Sequence, residues 1–448
     1  MTPPDPPPGP PVEPPGDEPG VEPPEVEPPR PAGVEAGGIE ADAGRWRKVV
    51  FDAVVEGNSV TVTLLAFVAA IVVGGLLIAF TDPVVLPKFG HFFSAPGGAL
   101  GAAWSSASGA YTAMFRGSIV DIHTVSAAFH GGSITAVFEP LSETLVNATP
   151  LILAGLAVML PFRCGLFNIG GTGQFIGGAV VAGWIGFAVQ LPPVIHVGVA
   201  IAGGLAGGAI CGWLVGFLRA RTGANEVIVT IMFNYVAQFL LLYLLGTHAF
   251  RRPKRIDPIS RVVHGTARLP HLLGGTLRVN FGFVLAIGAA VAVSWIIKRS
   301  TLGFEFRTIG ANPDAARAAG MNVERGYIVV MLVAGALAGL AGAAVVLGTD
   351  YSLTPGIYGT YGFDAITVAL LGRGTALGVV LASLLFGALH AGGVQMQAAT
   401  QTPIDIVIVI QALIVLFIAA PPLVRTMFRL RGQRSGPERR AALKVVGA

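Results

Sequence analysis

The chain has 448 residues, 53% of them hydrophobic and only 12% charged, with 61 glycines, a mean hydropathy of +0.70 and a formal net charge of +4. A soluble domain carries roughly 25% charged residues, so this composition excludes one and indicates an integral membrane protein. Nucleic acid is a poor explanation of the positive charge in such a chain, and membrane topology is a better one.

Residues 1–44 are a different polymer. Residues 1–31 hold fifteen prolines, and residues 1–44 hold ten acidic side chains against the single basic Arg30. Such a segment buries too little to fold, and its Pro-Pro pairs favour polyproline II, so a disordered cytoplasmic tail is expected. It is either a solvated spacer or a docking ligand for a proline-reading partner. It lacks the basic start and apolar centre of a signal peptide. Its charge of −9 hides a surplus of +13 on residues 45–448.

Apolar windows follow at 60–80, 141–160, 194–218, 227–245, 281–297, 327–347 and 404–420. Each is long enough, as a helix, to cross ~30 Å of hydrocarbon. No barrel-type alternation appears, so the expected fold class is all-α, a polytopic transmembrane helix bundle over 45–424. Two regions read less cleanly. The stretch "APGGALGAAWSSASGAYTAMF", within 86–140, either crosses the membrane or lies along its outer surface. Residues 363–371 make only a half-span, followed by Gly372-Arg373-Gly374 and a returning segment at 377–389. The total comes to about ten spans.

Arg45, Arg47 and Lys48 precede the first window, and a basic tail, 425–448, follows the last. Both termini are therefore expected to be cytoplasmic. That assignment places 19 of the 28 basic residues after the acidic tail on the cytoplasmic side. "RRPKRIDPISR", 251–261, falls outside as an exception, in a loop of over thirty residues.

Three polar insertions interrupt the apolar frame. In "RCGLFNIGGTGQFIGGA", 163–179, the glycines suit close helix packing. Asn168 and Gln174 need partners there, either backbone groups of a broken helix or a polar pathway. In "RTGANEVIVTIMFNYVAQ", 221–238, Asn225 is placed to cap a helix and Glu226 to face its dipole. Thr230, Asn234 and Gln238 share one face at spacings of four, which suits interhelical hydrogen bonding or ligand contact. Asp364 opens the half-span as a cap or as a cavity residue.

The third insertion, "STLGFEFRTIGANPDAARAAGMNVERG", 300–326, joins two spans on the cytoplasmic side. Pro313–Ala319 reads as a short helix with Asn312 as cap, Pro313 in its first turn and Gly320 as its stop. That Ala-rich surface suits docking. No glycine is followed by lysine, so the GxxxxGK[ST] phosphate loop is absent. No GxSxG, HExxH or kinase set appears, and Cys164 and Cys211 have no zinc-type spacing, so no cofactor is expected. If ATP drives transport, a separate subunit supplies it.

Together these stretches resemble the permease family of bacterial ABC importers for simple sugars and nucleosides. "PLILAGLAVMLPFRCGLFNIGGTGQFIGGA", "NEVIVTIMFNYVA", "FRTIGANPDAARAAGMNV" and "YGFDAITVALLGRGTALGVVLASLLFGAL" are similar to its motifs, over about 140–421. The GLFNIG and NEVI forms resemble the larger of two permeases in nucleoside importers of the basic-membrane-protein type. Gly171-Thr172 departs from the Ala-Glu that members often carry.

The resemblance implies a type II importer-like bundle and a small-molecule solute. It implies three partners: a second, different permease, an ATPase with two fused nucleotide-binding domains, and a substrate-binding lipoprotein. Gly310, Asn312, Pro313, Ala315, Ala316, Ala319 and Gly320 would form the coupling helix, about 312–320, against the ATPase. Asn168, Gln174, Thr230, Asn234, Gln238 and Asp364 are the candidate pathway residues. Alternatives are a sugar or branched-chain amino acid permease, an ion-coupled carrier, or a non-transporting scaffold. The polar faces disfavour the scaffold, and the carrier lacks the intramembrane acids of a proton relay.

Overall fold

A computed structural model describes residues 59–94 and 96–428; the expected 1–44 tail and the basic residues from Arg429 onward lie outside them. Among the described residues the chain is helical, with two isolated bridges, Arg251 to Ser260 and His271 to Asn280. The principal helices are α1 (Ser59–Thr81), α2 (Pro96–Ser118), α3 (Ile134–Phe162), α4 (Gly171–Ala188), α5 (Pro193–Thr222), α6 (Glu226–Gly246) and α7 (Phe281–Arg299). They continue as α8 (Thr301–Ala311), α9 (Pro313–Ala318), α10 (Val323–Val345), α11 (Tyr361–Leu371), α12 (Ala376–Thr400) and α13 (Asp405–Ala419).

Seven are long and apolar enough to cross a membrane: α1, α3, α5, α6, α7, α12, and α10 with its π-helical extension Val346–Asp350. α11 and α13 are shorter apolar helices. Each window expected from hydropathy lies on one of these elements and overruns it by no more than a residue, because unbroken apolar sequence leaves the backbone no partner but itself.

α3 is the axis of the bundle. Every residue from Ala148 to Pro161 is buried, as an all-round apolar helix must be when other helices surround it. The tightest contact is between α5 and α10. A Cβ placed on Gly208 would run into the carbonyl of Gly335, and one on Gly335 into that of Gly208. Gly204 meets Gly339 and Gly212 meets Met331 in the same antiparallel register. Small residues every fourth position let the two backbones touch, which drives association where the surroundings are as apolar as the side chains.

Two regions differ from expectation or resolve it. The Gly/Ser/Ala-rich stretch forms the 23-residue α2, packed on α1 and α12. Tyr111 Oη donates to Ile71 O at 2.6 Å, and Gly392 of α12 seats against Met114. The returning segment expected at 377–389 is the 25-residue α12. Its polar and small second half lowers the hydropathy, yet packs on α2 and α13 through Gly392 and Gly393.

The bundle has two distinct ends. One carries the α3–α4 junction, α8, α9 and the turn between α11 and α12. The other carries the 247–280 loop, which is stitched on by backbone bonds: His264 N to Gly186 O (2.9 Å), Leu269 N to Leu347 O (2.9 Å), Val263 N to Tyr351 O (2.8 Å) and Ser260 N to Leu353 O (3.0 Å). The basic 251–261 stretch thus lies at the end opposite Arg163, as its place in the chain predicts. Several of its charges are answered locally: Arg255 pairs with Asp257 at 2.6 Å, and Arg261 donates to His248 O.

Candidate functional site

α3 ends at Phe162 with Arg163 as its cap, and Gly165 turns the chain back with φ +76°. Residues 166–170 then re-enter the bundle before α4 begins. Asn168 shows the depth, because its Nδ2 donates to the carbonyl of Ala157 at 3.2 Å, five residues before α3 ends. At 1.5 Å per residue, the junction climbs roughly 8 Å back inside.

Four of the six candidate pathway residues meet at this junction, and all four are buried. Asn168 Nδ2 donates to Gln174 Oε1 at 2.9 Å, and Gln174 Nε2 donates to Asn168 Oδ1 at 3.1 Å. The same Oδ1 accepts from Gly170 N at 3.1 Å. Asn234 reaches across from α6: its Oδ1 accepts from Gly173 N at 2.8 Å and its Nδ2 donates to Ile169 O at 2.9 Å. Backbone groups left open by the missing helical turn are thereby satisfied, where each would otherwise cost several kcal/mol in hydrocarbon. Thr230 bonds its own helix, donating to Glu226 O at 2.7 Å, and turns its methyl toward Gly170.

Gln238 lies one turn further along α6 and is half-buried. Asp364 is half-buried in the first turn of α11, where it accepts from Thr360 Oγ1 at 2.5 Å. It stands close to the junction because the starts of α11 and α4 abut: Gly171 faces the backbone of Gly362, and the Phe175 and Tyr361 rings stack at 5.8 Å. Two helices therefore begin inside the bundle, each entered by irregular backbone. Such discontinuous helices are where membrane transporters place solute contacts. Asn225, as expected, caps α6, accepting from Val227 N at 2.9 Å.

The 300–326 segment folds as two short helices. Ser300 caps α8 and accepts from Gly303 N; Asn312 caps α9 and accepts from Asp314 N (2.9 Å) and Ala315 N (3.0 Å). Gly320, at φ +82°, follows the end of α9. Asn312, Ala315, Ala319 and Gly320 are exposed, Pro313 is half-buried, and Ala316 alone is buried, packed into the bundle. Gly310, at the end of α8, lies on the junction itself: a Cβ there would strike the carbonyl of Arg163, and its Cα faces Gly165.

Arg163 has a structural role that its sequence does not announce. Its Nε donates to Gly374 O at 2.9 Å, and its Nη2 bonds the same oxygen. Gly374 sits at φ +65° in the turn between α11 and α12. A basic residue directly after a span reads as a topology marker; only the fold shows that it fastens a turn 211 positions away.

Residues 141–419 match the family described as "branched-chain amino acid transport system / permease component". The chain belongs to this family. It is a multi-pass membrane protein and a transport component. Within the matched span lie the junction, α8, α9 and the abutting starts of α4 and α11. The chain is 40% identical over 288 residues to the guanosine ABC transporter permease protein NupP of Bacillus subtilis, covering 64% of this chain and 82% of that one. It is 38% identical over 290 residues to the glucose ABC transporter permease protein TsgB13 of Haloferax volcanii, covering 62% and 75%. It is 34% identical over 304 residues to the nucleoside ABC transporter permease protein NupB of Lactococcus lactis, covering 64% and 81%. No solved structure matches the chain. Helices α1 and α2 precede the matched span and pack on α12 and α13.

Proposed function

We propose that the chain is the permease subunit of an ATP-binding cassette importer that carries nucleosides across a bacterial cell membrane. Both termini and the α8–α9 end face the cytoplasm in this reading. A separate ATPase with two fused nucleotide-binding domains docks on the exposed face of α9, a second, different permease completes the pathway, and a lipoprotein delivers the solute. The relatives named for guanosine and for nucleosides favour nucleosides over the sugar of the TsgB13 relative or the branched-chain amino acids of the family description.

The observation that carries the mechanism is the seat of Gly310 on the backbone of Arg163 and Gly165. Closure of the ATPase pushes α9 and α8. The end of α8 bears directly on the α3–α4 junction, and Arg163 passes the displacement to the turn at Gly374. Because Asn168, Gln174 and Asn234 tie the junction to α4 and α6, it moves as a unit instead of absorbing the push, a rigid-body switch between openings. Gln238 and Asp364, whose side chains are not committed to this lock, remain the candidates for solute contact.

The test is uptake of labelled uridine by proteoliposomes holding the complete importer, competed with guanosine, glucose or leucine. Competition by guanosine alone supports the assignment. Competition by glucose or leucine without guanosine overturns the choice of solute and leaves the coupling scheme standing.

A further inference from the structure

Between the second half of α7, from Ile287 to Arg299, and the start of α12 runs a groove of about 500 Å³ that holds none of the candidate pathway residues. Its walls are apolar, with Ala290, Val291, Leu377 and Val380 among them, and Ser294 carries the only hydroxyl lining it. Its mouth, at the α8–α9 end of the bundle, carries Trp295, Lys298 and Arg299. Trp295 is 61% exposed, and Leu377 is 71% exposed. Neither Lys298 nor Arg299 makes a salt bridge or side-chain hydrogen bond among the described residues. The N-terminus of α12, the positive end of its dipole, closes the same end of the groove.

From this arrangement we infer that the groove holds an anionic phospholipid of the leaflet at the α8–α9 end, acyl chain along α7 and α12 and headgroup on Lys298 and Arg299. Three features select a lipid over other occupants. The groove lies between two helices long and apolar enough to span a membrane, and its apolar Val291 and Leu377 are exposed, so a lipid chain in the bilayer would meet it directly. A single hydroxyl along its length offers a nucleoside or sugar almost nothing to bond. Its polarity is confined to two cations at the level where headgroups lie, with an indole beside them, as at membrane interfaces. An anionic headgroup therefore gains there over a zwitterionic one by roughly five-fold per cation, on the order of twenty- to thirty-fold for the pair. The inference does not depend on the solute or on which side is cytoplasmic.

The test uses the full-length protein with its bound subunits in phosphatidylcholine vesicles. A minority of the lipid is brominated phosphatidylglycerol or, in a parallel sample, brominated phosphatidylcholine. Bromine quenches nearby tryptophan, and subtracting the Trp295→Phe protein isolates the Trp295 signal. Stronger quenching by the phosphatidylglycerol probe is expected, with the preference falling as salt is raised. The preference should collapse in Lys298→Gln/Arg299→Gln while quenching by brominated phosphatidylcholine persists. Equal quenching by both probes in the unaltered protein overturns the inference, as does a preference unchanged by salt or by the double substitution. Absence of quenching by either probe overturns it too, because a protein subunit then covers the groove. The salt series on the unaltered protein decides the matter even if the double variant folds poorly.

Discussion

Asn168 and Gln174 each donate to and accept from the other, across 2.9 Å and 3.1 Å, inside a bundle that offers them no water. Breaking the pair from one side strands the other amide. Asn168→Leu also removes the partners of Ala157 O and Gly170 N, so it should destabilise the protein by about 3 kcal/mol. Gln174→Leu should cost about 2 kcal/mol. The double variant should cost clearly less than the sum, since neither amide is then left alone. Thermal melts of the detergent-solubilised protein measure the cycle, and strict additivity would rule the reciprocal pair out.

Asn234 is tested by a graded pair of substitutions. Asn234→Asp keeps an acceptor for Gly173 N and, protonated at this buried position, a weaker-placed donor to Ile169 O, whereas Asn234→Ala loses both. The expected order of uptake is native, then Asp, then Ala, with melting temperature falling in parallel for Ala by the equivalent of about 2 kcal/mol. An Ala variant with native uptake and stability would remove Asn234 from the junction.

Position 310 separates coupling from folding. A side chain there must push α8 off the carbonyl of Arg163, so Gly310→Leu should leave ATP hydrolysis largely running while uptake per ATP falls several-fold. Ala315→Arg, on the exposed face of α9, should instead weaken association with the ATPase and leave the melting temperature unchanged, because surface substitutions stay within about 0.5 kcal/mol. Ala316 is the wrong place to probe docking: it packs into the bundle, and a bulky residue there would disturb the core first.

Two glycines on one helix give opposite expectations. Gly208 lies where a Cβ would overlap the backbone of Gly335, whereas Gly198 has open space around it. Gly208→Ala should destabilise by about 2 kcal/mol or more by forcing α5 and α10 apart, as overpacking does. Gly198→Ala should be neutral or stabilising by up to about 1 kcal/mol through helix propensity. Equal melting temperatures for the two variants would contradict the α5–α10 contact.

Hydropathy located the long helices because a membrane span is a local property of its own residues: 281–297 and 227–245 needed no knowledge of their neighbours. It stopped short on α12 because the apolar signal fades after Leu389, where burial comes from packing on α2 and α13. The caps at Asn225 and Asn312 were legible for the same local reason, being set by the few residues that follow them. The pairing of Asn168 with Gln174 was legible only as a need for partners. Nothing local indicated that Asn234 would supply two of the junction's bonds, that Gly171 would face Gly362, or that Arg163 would hold Gly374. Those contacts join positions 61 to 211 residues apart, and no periodicity encodes them. Among the alanines of α9, sequence also gave no way to tell the inward Ala316 from its outward neighbours.

The 247–280 loop is joined to the far ends of α4 and α10 by side chains, with Ser260 Oγ accepting from Leu353 N and Asn280 Nδ2 donating to Gly348 O, and by a run of main-chain N–H to C=O bonds. Bonds of that kind survive a change of side chain. Substitutions at exposed positions of the loop such as Val262 should therefore leave that end of the bundle standing, whereas changes at the buried Ser260, Val263 or Leu269 should loosen it, as one amide changed at the α3–α4 junction loosens the other. In the proposed cycle the stitched end is the fulcrum about which a displacement entering beside Arg163 would swing the helices. The exposed positions of the loop can thus vary without moving that point, while its buried ones hold the point in place.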